Sequence, residues 1–408
     1  MKRVVVTGMS GVTALGSHWN EVEAGLRGLQ NRVQVMPEWA CYQGLTTRLG
    51  APIEDFTVPA HYTRKKLRSM GRVARLAVVA SEAALDDAGL LQHPVLTNGR
   101  TGVAYGSCTG STEPFKAFGT MLNEHSTRGV TANSYIQMMS HTAAVNLALF
   151  FGATGRVIPT SSACTSGSQG IGYAWEAIRH GYQTVMIAGG AEELCPTEVA
   201  VFDTLYATSV RNDQPELTPR PFDQGRDGLV IGEGAGTLIL EELEHAQARG
   251  ATIYAELVGY GTNNDAQHVT QPTAATMQVA MELALESAGL QADVIDYISA
   301  HGTATDRGDV AESQATATLF GSQTPISSLK SYLGHTLGAC GALESWMGIE
   351  MMNRGWFAPT INLQTIDSAC GELDYLMGEG RDIDCQYFMN NNFAFGGINT
   401  SLIFKRWP

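Results

Sequence analysis

Short apolar runs and amphipathic segments alternate along this chain, with glycines and polar residues between them. The first run, from Arg3 to Thr7, is rich in β-branched residues and is closed by Gly8, which is typical of a buried strand. Apolar positions then recur with helical spacing from Asn20 to Gly28 and from Val73 to Ala88, where Gly89 provides a C-cap. The pattern therefore predicts alternating strands and helices from the start of the chain.

The same alternation occurs twice along the chain. Further strands of the first series are predicted at Thr101 to Tyr105, Thr184 to Ala188 and Leu238 to Leu240. A second series has a strand at Ala251 to Gly259, a helix at Thr276 to Ala288, and strands at Ile295 to Ser299, near Ile326 and at Tyr387 to Asn390. This order predicts an α/β chain of two similar halves, residues 1–250 and residues 251–408.

The composition allows a large buried core and argues against nucleic acid as a partner. The 408 residues are 44% apolar and 16% charged, and the net charge is −14, whereas a nucleic-acid-binding protein usually carries a strong basic patch. Runs of about 18 apolar residues are absent, so no membrane span is predicted. The apolar run Val4–Val6 is too short for a signal peptide. Seven scattered cysteines without zinc spacing fit a reducing compartment, so we expect a cytoplasmic chain without a bound metal.

Two glycine-rich segments resemble nucleotide-binding loops but lack the complete pattern. The first contains Gly8 and Gly11, and the second contains Gly232, Gly234 and Gly236. Neither matches G-x-G-x-x-G, and the second leads into a strand instead of a helix. We therefore interpret both segments as sharp turns.

Small and hydroxyl residues surround one thiol, Cys164, just before an amphipathic run from Tyr173 to His180. This pattern indicates a sharp turn into a helix, with the cysteine at or near the first turn. Free N–H groups and the helix dipole would favour the thiolate there and lower the pKa of the thiol. The alternative is a buried structural cysteine. Ser161 and Ser162 lack the G-x-S-x-G elbow of serine hydrolases, so we interpret them as turn residues.

Two histidines in the second half are candidate partners for the thiol. His301 follows a predicted strand, and His335 lies in a glycine-flanked turn downstream of Lys330. A further glycine-containing turn, Phe393 to Asn399, could bring a backbone N–H close to a reacting oxygen. The cysteine can accept an acyl group as a thioester. Two neutral imidazole donors can stabilise an enolate that forms beside a second thioester. A hydrolase would more often pair cysteine with one histidine and a carboxylate or Asn, so these residues favour carbon–carbon bond formation.

With these segments assembled, the chain resembles the β-ketoacyl-[acyl-carrier-protein] synthases of the synthase I/II type, in the thiolase superfamily. The matching motifs occur in the family's order from Val4 to about Phe404: Ala163-Cys164-Thr-Ser-Gly, Arg220-Pro-Phe-Asp223, Arg226-Asp-Gly228, Gly232 to Gly236, His301 to Thr305, Lys330-Ser, Gly334-His335 and Phe393 to Gly397. The resemblance implies the thiolase fold, with two duplicated halves in five layers, α-β-α-β-α. It also implies a dimer, either with a second copy or with a related subunit.

The resemblance further implies a reaction. Cys164 would accept an acyl chain from the phosphopantetheine of a carrier protein, and His301 and His335 would promote decarboxylation of malonyl-carrier protein. The resulting carbanion would attack the Cys164 thioester and give a β-ketoacyl chain. The backbone N–H groups of Cys164 and Phe395 would form the oxyanion hole, and the Phe395 ring would gate the acyl pocket.

Other residues receive roles by the same resemblance. Lys330 would support the electrostatics of the histidines with Glu312 as its ionic partner, and Asp309 would be structural. A structural monovalent cation would lie near Glu344, Asn390 and Asn391; no other cofactor is implied. The implied substrate-binding positions are Thr270, Thr303, Thr305, Phe393, Leu229, Cys108, Thr109 and Met138.

The chain departs from the family pattern around the acyl pocket. Leu229 replaces a common Phe beside the malonyl group, and Cys108 and Thr109 replace Gly-Ile on the acyl tunnel. His141 replaces a usual Asn, and the adaptable pair Met138-Met139 lies in the region that meets the second subunit. We interpret these changes as the same reaction on a different acyl chain, with an unusual starter or an aryl-primed polyene intermediate as candidates.

A basic cluster stands out in this acidic chain: Arg64, Lys65, Lys66, Arg68, Arg72 and Arg75. A solvated face is the ordinary interpretation of such a cluster, but the family uses this segment to meet an acidic carrier protein, with Arg128 as a further contact. Complementary charge would speed and orient that encounter. The chain lacks the Asp-Ser-Leu attachment site of carrier proteins, so the carrier would be a separate protein.

Three related functions are alternatives to a catalytic synthase of type I/II. A non-catalytic chain-length factor would shape the tunnel of a partner, but this chain retains Cys164, His301 and His335. A thiolase would need a second cysteine in the C-terminal glycine loop. A synthase III would carry Asn at the position of His335.

Overall fold

The computed structural model describes all residues, 1–408. The strands are β1 (Val4–Val12), β2 (Gln34–Val35), β3 (Leu49–Ala51), β4 (Thr101–Gly106), β5 (Val157–Thr160), β6 (Val185–Glu192), β7 (Ile231–Gly232), β8 (Gly234–Glu242), β9 (Ala255–Asn264), β10 (Tyr297–Ser299), β11 (Pro325–Ser327), β12 (Trp356–Phe357), β13 (Asp374–Tyr375), β14 (Arg381–Asp382), β15 (Tyr387–Phe393) and β16 (Ile398–Arg406). The α-helices are α1 (Trp19–Arg27), α2 (Arg64–Leu67), α3 (Arg72–Asp87), α4 (Phe115–Glu124), α5 (Ala132–Met138), α6 (Thr142–Phe151), α7 (Ser166–Arg179), α8 (Pro196–Asp203), α9 (Leu243–Ala248), α10 (Ala274–Ala288), α11 (Asp306–Phe320), α12 (Lys330–Leu333) and α13 (Cys340–Arg354). Short 3₁₀ helices cover Pro37–Cys41, Pro94–Leu96, Pro215–Leu217, Ala292–Val294 and Leu337–Ala339.

One 11-stranded sheet runs through both halves of the chain. Its first unit has the strand order β5-β4-β6-β8-β1, and its second unit has the order β11-β10-β15-β16-β9. In each unit the first two neighbouring pairs are parallel and the last two are antiparallel. The units join where β1 pairs with β9. Since order and direction repeat, the structure contains two duplicated units; the domain boundary after residue 250 stays a prediction.

Helices form three layers around the two sheet units. Helices α3 and α6 cover the outer face of the first unit, with Leu76 in the core between them. Helices α7 and α13 lie between the two units, where Trp175 and Trp346 are buried. Helices α10 and α11 form the other outer layer, and Met281 packs beneath it. The expected α-β-α-β-α arrangement is confirmed.

Both faces of the central strands are covered, which explains their continuous apolar runs. All residues of β6 are buried, as are all residues of β4. Side chains of these two strands therefore lie within the core along their whole length. None of the helices is long and apolar enough to cross a membrane.

Two glycine segments that were predicted to be turns belong to strands. Strand β1 continues through Gly8 and Gly11, and β8 begins at Gly234. A Cβ on Gly8 would lie 2.2 Å from the carbonyl oxygen of Ala84, and one on Gly11 would lie 2.3 Å from the ring of Trp346. These glycines allow helices to approach the strand closely, and the turn interpretation is wrong.

Candidate active site

Cys164 lies on a bend between β5 and α7. The preceding Ala163 has a φ of 51°, a left-handed conformation that is uncommon for a residue with a side chain. Helix α7 begins just beyond the cysteine, at Ser166. The bend turns the thiol inward, so that only 4% of Cys164 is exposed. A turn into a helix was predicted here, and Cys164 lies before its first turn.

Two histidines face the thiol. Nε2 of His335 lies 2.9 Å from Sγ of Cys164, and the rings of His301 and His335 are 5.1 Å apart and nearly perpendicular. The sulfur and one nitrogen of each histidine all lie within 4.8 Å of one another. The fold thus brings together three residues that are far apart in the sequence.

The hydrogen bonds of both imidazoles place their protons on the nitrogens that face the cavity. The backbone N–H of Leu337 donates to Nδ1 of His335 at 3.3 Å, which leaves the proton of a neutral ring on Nε2. Nδ2 of Asn392 faces Nδ1 of His301 at 3.5 Å and has the same consequence. Burial, followed by the nearby charge of Lys330, holds the pKa values of both histidines well below their ordinary range. At neutral pH both rings are therefore neutral N–H donors.

Burial dominates the acidity of the Cys164 thiol. It raises the pKa to about 11, although the charge of Lys330 and the backbone N–H groups of Phe395 and Cys164 act in the opposite direction. The prediction of a lowered pKa is therefore wrong, since the cost of desolvating the thiolate outweighs the helix terminus. The resting residue is a thiol, and its proton has to leave during acyl transfer.

The predicted glycine turn brings a second N–H to the thiol. The backbone N–H groups of Phe395 and Cys164 both favour the thiolate form of Cys164, so both lie near its sulfur. Gly396 and Gly397 follow with φ angles of 85° and 76°, and the N–H of Gly396 donates to the carbonyl of Val269 at 2.8 Å. These glycines permit the sharp turn that presents Phe395. Both N–H groups are therefore candidates for the oxyanion hole that the family resemblance implies.

Lys330 forms a buried ion pair, and the predicted partner was wrong. Nζ of Lys330 lies 2.5 Å from Oε1 of Glu344, whose Oε2 accepts a hydrogen bond from Asn392 at 2.7 Å. Glu312 instead accepts hydrogen bonds from the backbone N–H groups of His301 and the next residue, each at 2.7 Å. Burial opposes the charge of Lys330, but the Glu344 carboxylate outweighs it and raises the Lys330 pKa. Glu344 thus holds the ammonium group of Lys330 beside the histidines, while Glu312 fixes the His301 loop.

The family resemblance implies a monovalent cation near Glu344, Asn390 and Asn391, whose side-chain oxygens are mostly engaged within the protein. Both oxygens of Glu344 are engaged as just described, and Oδ1 of Asn391 accepts a hydrogen bond from Ser401 at 2.7 Å. Among their side-chain oxygens, only Oδ1 of Asn390 lacks a partner. Asn390 thus offers an unpartnered buried oxygen at this place, and the cation site stays a prediction.

A cavity of about 440 Å³ opens onto Cys164 and both histidines. Its wall contains most of the predicted substrate-binding residues: Thr270, Thr303, Thr305, Phe393 and Leu229. Beneath it, Asp309 accepts hydrogen bonds from the backbone N–H groups of Thr303 at 3.0 Å and Ala304 at 3.1 Å. Asp309 therefore shapes the threonine loop, in line with the structural role predicted for it.

Three predicted substrate-binding residues, Cys108, Thr109 and Met138, lie outside this wall. Met138 ends α5 beside the turn at Gly110. Cys108 packs against an apolar group that we call the Phe202 cluster: Trp39, Val199, Phe202, Leu229, Ile231 and Leu337. Phe202 and Leu229 belong to both the cluster and the cavity wall, so the cluster adjoins the site.

Two residues near the thiol, Asn392 and Cys340, are not among the sites predicted from the sequence. Asn392 joins Glu344 to His301, and Sγ of Cys340 donates to the carbonyl oxygen of Cys164 at 3.2 Å. Three consecutive asparagines precede Phe393 at the end of β15, and all three are buried. Since buried amides need partners, that run was a usable signal for Asn392. The sequence around Cys340 offers none.

Removing one partner of the Lys330–Glu344 pair should destabilise the protein strongly. Both side chains are at most 4% exposed, so Lys330→Ala leaves a buried carboxylate unpaired and should cost about 3–5 kcal/mol of unfolding free energy. Denaturant unfolding measures this loss. Lys116→Ala, which breaks an exposed pair with Glu113, is the control and should cost less than about 1 kcal/mol. An unchanged stability of Lys330→Ala would show that Glu344 is not held as a charged partner.

The sequence matches two family models along most of its length. The model described as "Beta-ketoacyl synthase, N-terminal domain" covers residues 1–246, and "Beta-ketoacyl synthase, C-terminal domain" covers residues 254–364. The chain belongs to the β-ketoacyl synthase family. The predicted family is therefore confirmed.

Curated relatives and solved structures agree with this assignment. The chain is 37% identical to 3-oxoacyl-[acyl-carrier-protein] synthase 2 of Vibrio harveyi over 416 residues, which is 99% of each chain. The crystal structure of a β-ketoacyl synthase from Burkholderia phymatum STM815 matches with a TM-score of 0.99 and 65% identity, covering 100% of both chains. The ishigamide ketosynthase/chain length factor matches with a TM-score of 0.91 and 30% identity over 100% of both chains. The predictions of the thiolase fold and of a carbon–carbon bond-forming acyl synthase are confirmed.

Proposed function

We propose that this enzyme joins an acyl chain held on Cys164 to the malonyl group of malonyl-carrier protein by decarboxylative Claisen condensation. One observation carries the proposal. The thiol and two neutral N–H donors, those of His301 and His335, face one cavity within 4.8 Å of one another. A nucleophile and two donors for an enolate oxygen are the groups that this reaction needs.

Acyl transfer to Cys164 comes first. The sulfur attacks the thioester carbonyl of the acyl-carrier protein, the bond from that carbonyl to the pantetheine sulfur breaks, and the carrier thiol leaves with the proton. Negative charge on the tetrahedral oxygen is stabilised by the N–H groups of Cys164 and Phe395. Because both donors are backbone groups on tight turns, they are fixed before the substrate arrives.

Condensation follows on the same cavity wall. The bond from the malonyl α-carbon to its carboxylate breaks, carbon dioxide leaves, and the electron pair passes into the thioester as an enolate. His301 and His335 donate hydrogen bonds to the enolate oxygen. Neutral rings suit this role because two imidazolium cations would be unfavourable in a buried site beside Lys330. The α-carbon then attacks the acyl carbonyl on Cys164, whose sulfur leaves and regains a proton.

The test is direct. The enzyme is mixed with malonyl-carrier protein and a panel of acyl-carrier proteins, and both proteins are followed by intact mass. We expect a Cys164 acyl adduct with the acyl donor alone and a β-ketoacyl-carrier protein when malonyl-carrier protein is added. A chain that forms no adduct and elongates nothing would not be a catalytic synthase; the chain-length-factor alternative would then stand.

We also propose a separate carrier protein that delivers both substrates. The hydroxyls of Thr303 and Thr305 lie 2.9 Å apart on the cavity wall, where they can hold the pantetheine arm. Arg64, Lys65, Lys66 and Arg68 on and after α2, and Arg128 before α5, are exposed. Arg72, in contrast, is paired with Glu233 at 2.7 Å and is not a free member of the basic cluster.

Charge reversal on α2 should weaken the encounter with the carrier. Lys65→Glu or Arg68→Glu should each lower kcat/KM for acyl-carrier protein about tenfold at low salt, because both replace an attractive charge by a repulsive one. Arg100→Glu is the matched control, since this exposed arginine precedes β4 and the site lies beyond the other end of that strand. Rates with N-acetylcysteamine thioesters should stay unchanged in all three variants; an equal loss with these small thioesters would contradict a docking role.

Three finer points complete the proposal. We place the enzyme in the cytoplasm, which its seven free cysteines suit. We propose a dimer, either of two copies or of this chain with a related subunit. An unusual starter or a polyene intermediate remains our candidate for the acyl chain, on the basis of Leu229, Cys108 and Thr109.

A further inference from the structure

Two buried carboxyl groups lie beside the Phe202 cluster and take no part in the reaction described above. Glu192, the last residue of β6, is fully buried. Its oxygens accept hydrogen bonds from the Ser107 hydroxyl at 2.9 Å and from the backbone N–H groups of Cys108 at 2.6 Å and Gly338 at 3.2 Å. Glu192 is thus satisfied by the protein and ties the Cys108 segment to the end of the sheet.

The carboxyl group of Glu198, in the first turn of α8, lacks one of its hydrogen-bond partners. It is 4% exposed. Its Oε1 accepts a hydrogen bond from the Thr109 hydroxyl at 2.5 Å, whereas its Oε2 has no partner. Buried polar atoms are almost always hydrogen-bonded, so a free carboxyl oxygen at such a depth points to a ligand group that meets it.

Glu198 lies next to the Phe202 cluster, which adjoins the cavity. Val199, the next residue, is a member of the Phe202 cluster. The ring of Phe395, whose backbone N–H lies near the Cys164 sulfur, packs on Phe202 with the ring centres 5.2 Å apart. The cluster shares Phe202 and Leu229 with the wall of the cavity that opens onto Cys164, so an acyl chain extending past Phe395 would meet this apolar region.

Cys108 links the carboxyl to the nucleophile. The backbone N–H of Cys108 donates to Glu192 at 2.6 Å, and the hydroxyl of the next residue, Thr109, donates to Glu198. The carbonyl of Cys108 accepts a hydrogen bond at 3.1 Å from the hydroxyl of Ser161, which precedes Cys164 on the same bend. The Cys108 segment therefore joins the loop of the nucleophile to Glu198. Ser162, close to Cys164 in the chain, likewise has a buried hydroxyl without a partner.

We propose that Glu198, held by Thr109, hydrogen-bonds a hydroxyl group on the acyl chain carried by Cys164, so that the enzyme selects hydroxylated acyl groups. The inference rests on the proposed function, since the acyl chain has to be attached to Cys164. It adds the substrate class and names Glu198 as the residue that determines it.

A hydroxyl fits this carboxyl better than an ammonium group does. Burial, and then the charge of Glu192, raise the pKa of Glu198 well above its ordinary range. Glu198 is therefore a neutral acid at neutral pH, and a neutral acid both donates and accepts one hydrogen bond. A hydroxyl does the same, whereas an ammonium group only donates and needs a negative partner.

The test compares acyl donors that differ only in the hydroxyl. Cys164 is loaded from N-acetylcysteamine thioesters of ω-hydroxyalkanoic acids of increasing length, each paired with the alkanoic acid, and from 4-hydroxybenzoyl and benzoyl thioesters as a rigid pair. Intact mass gives the initial rate of acylation. We expect the wild type to prefer a hydroxylated member at least about tenfold, because a site built for a hydroxyl rejects the analogue that lacks it.

Variants assign the preference to Glu198. Glu198→Leu should lose the preference and load the unsubstituted donors at least as fast as the wild type, and Glu198→Gln should keep part of it. Glu193→Gln is the matched control, because Glu193 is equally buried but both the Thr112 hydroxyl and the Thr112 N–H donate to it at 2.7 Å. Its preference should remain that of the wild type.

Three results would overturn the assignment: equal loading of both members of every pair by the wild type, a preference that survives in Glu198→Leu, or faster loading of an ω-amino analogue than of the hydroxyl. Failure of the underlying function looks different. In that case Cys164 is acylated by no donor at all, including acyl-carrier protein.

Discussion

Cys164→Ala should abolish chain elongation, with a fall in the condensation rate on the order of 10⁴-fold or more. The structure places the thiol within 4.8 Å of both histidines and near the backbone N–H groups of Phe395 and Cys164. Without it the acyl chain has no attachment point, and the enolate has no electrophile held at bonding distance. Intact mass should show no acyl adduct, and product analysis should show no β-ketoacyl-carrier protein.

The same variant should still decarboxylate malonyl-carrier protein. The two N–H donors do not depend on the sulfur, because His335 is fixed by the Leu337 N–H and His301 by the Glu312 and Asn392 contacts. Carbon dioxide release without elongation would thus separate the two half-reactions. Cys340→Ala is the matched control: this buried thiol contacts the Cys164 carbonyl, yet the variant should still be acylated and elongate. Elongation by Cys164→Ala would exclude Cys164 as the nucleophile.

The chemical centre could be predicted because its parts lie on turns with strong local patterns. Cys164, His301 and His335 each sit among glycines or small hydroxyl residues, which the chain needs to bend sharply at the end of a strand or short helix. Such requirements are local, so they are visible in the sequence. The meeting of these three bends is a property of the duplicated fold. It could be predicted only through the resemblance to a family.

The partner of Lys330 could not be predicted in the same way. Glu312 and Glu344 both lie on helices near the site, on α11 and α13, and either could reach the ammonium group. Which one does so depends on how α12 and α13 are set relative to each other, with the turn at Gly334 between them. Local sequence carries no measure of that arrangement.

The glycines of β1 show a related limit. Gly8 was interpreted as the end of a strand, since glycine often closes one. In the structure it is the point where α3 comes against the strand, and a side chain there would meet the Ala84 carbonyl. Glycine is suited both to turns and to close packing because it has no side chain. The sequence alone therefore does not show which of these two roles a glycine has.

The acidity of Cys164 was mispredicted because burial is non-local. A helix N-terminus is visible in the sequence and lowers the pKa of a thiol. The depth of the site is not visible, and at 4% exposure desolvation raises the pKa to about 11. Desolvation also keeps both histidines uncharged, so the same burial that makes the thiol a weaker acid supplies the neutral donors for the enolate.

His301→Ala and His335→Ala should each lower the decarboxylation of malonyl-carrier protein by about 10²–10³-fold while leaving acylation of Cys164 largely intact. Each variant removes one N–H donor from the enolate oxygen, and loss of one oxyanion donor typically has that effect. The acylation step uses backbone donors instead. Carbon dioxide release and intact mass measure the two steps separately. His180→Ala, at the C-terminus of α7 and away from the cavity, is the control and should change neither step.

The pH dependence tests whether these donors are neutral. Burial and Lys330 lower the pKa values of both histidines, so the uncharged rings should persist as the pH falls below the ordinary histidine value of about 6.5. Protonation sets in only below the lowered values, and it then places further positive charge beside Lys330. Decarboxylation should therefore be nearly constant between about pH 6 and 8. An acid limb centred near 6.5 that disappears in either alanine variant would instead show a histidine titrating at its ordinary pKa, and the neutral-donor mechanism would have to be replaced by one with an imidazolium.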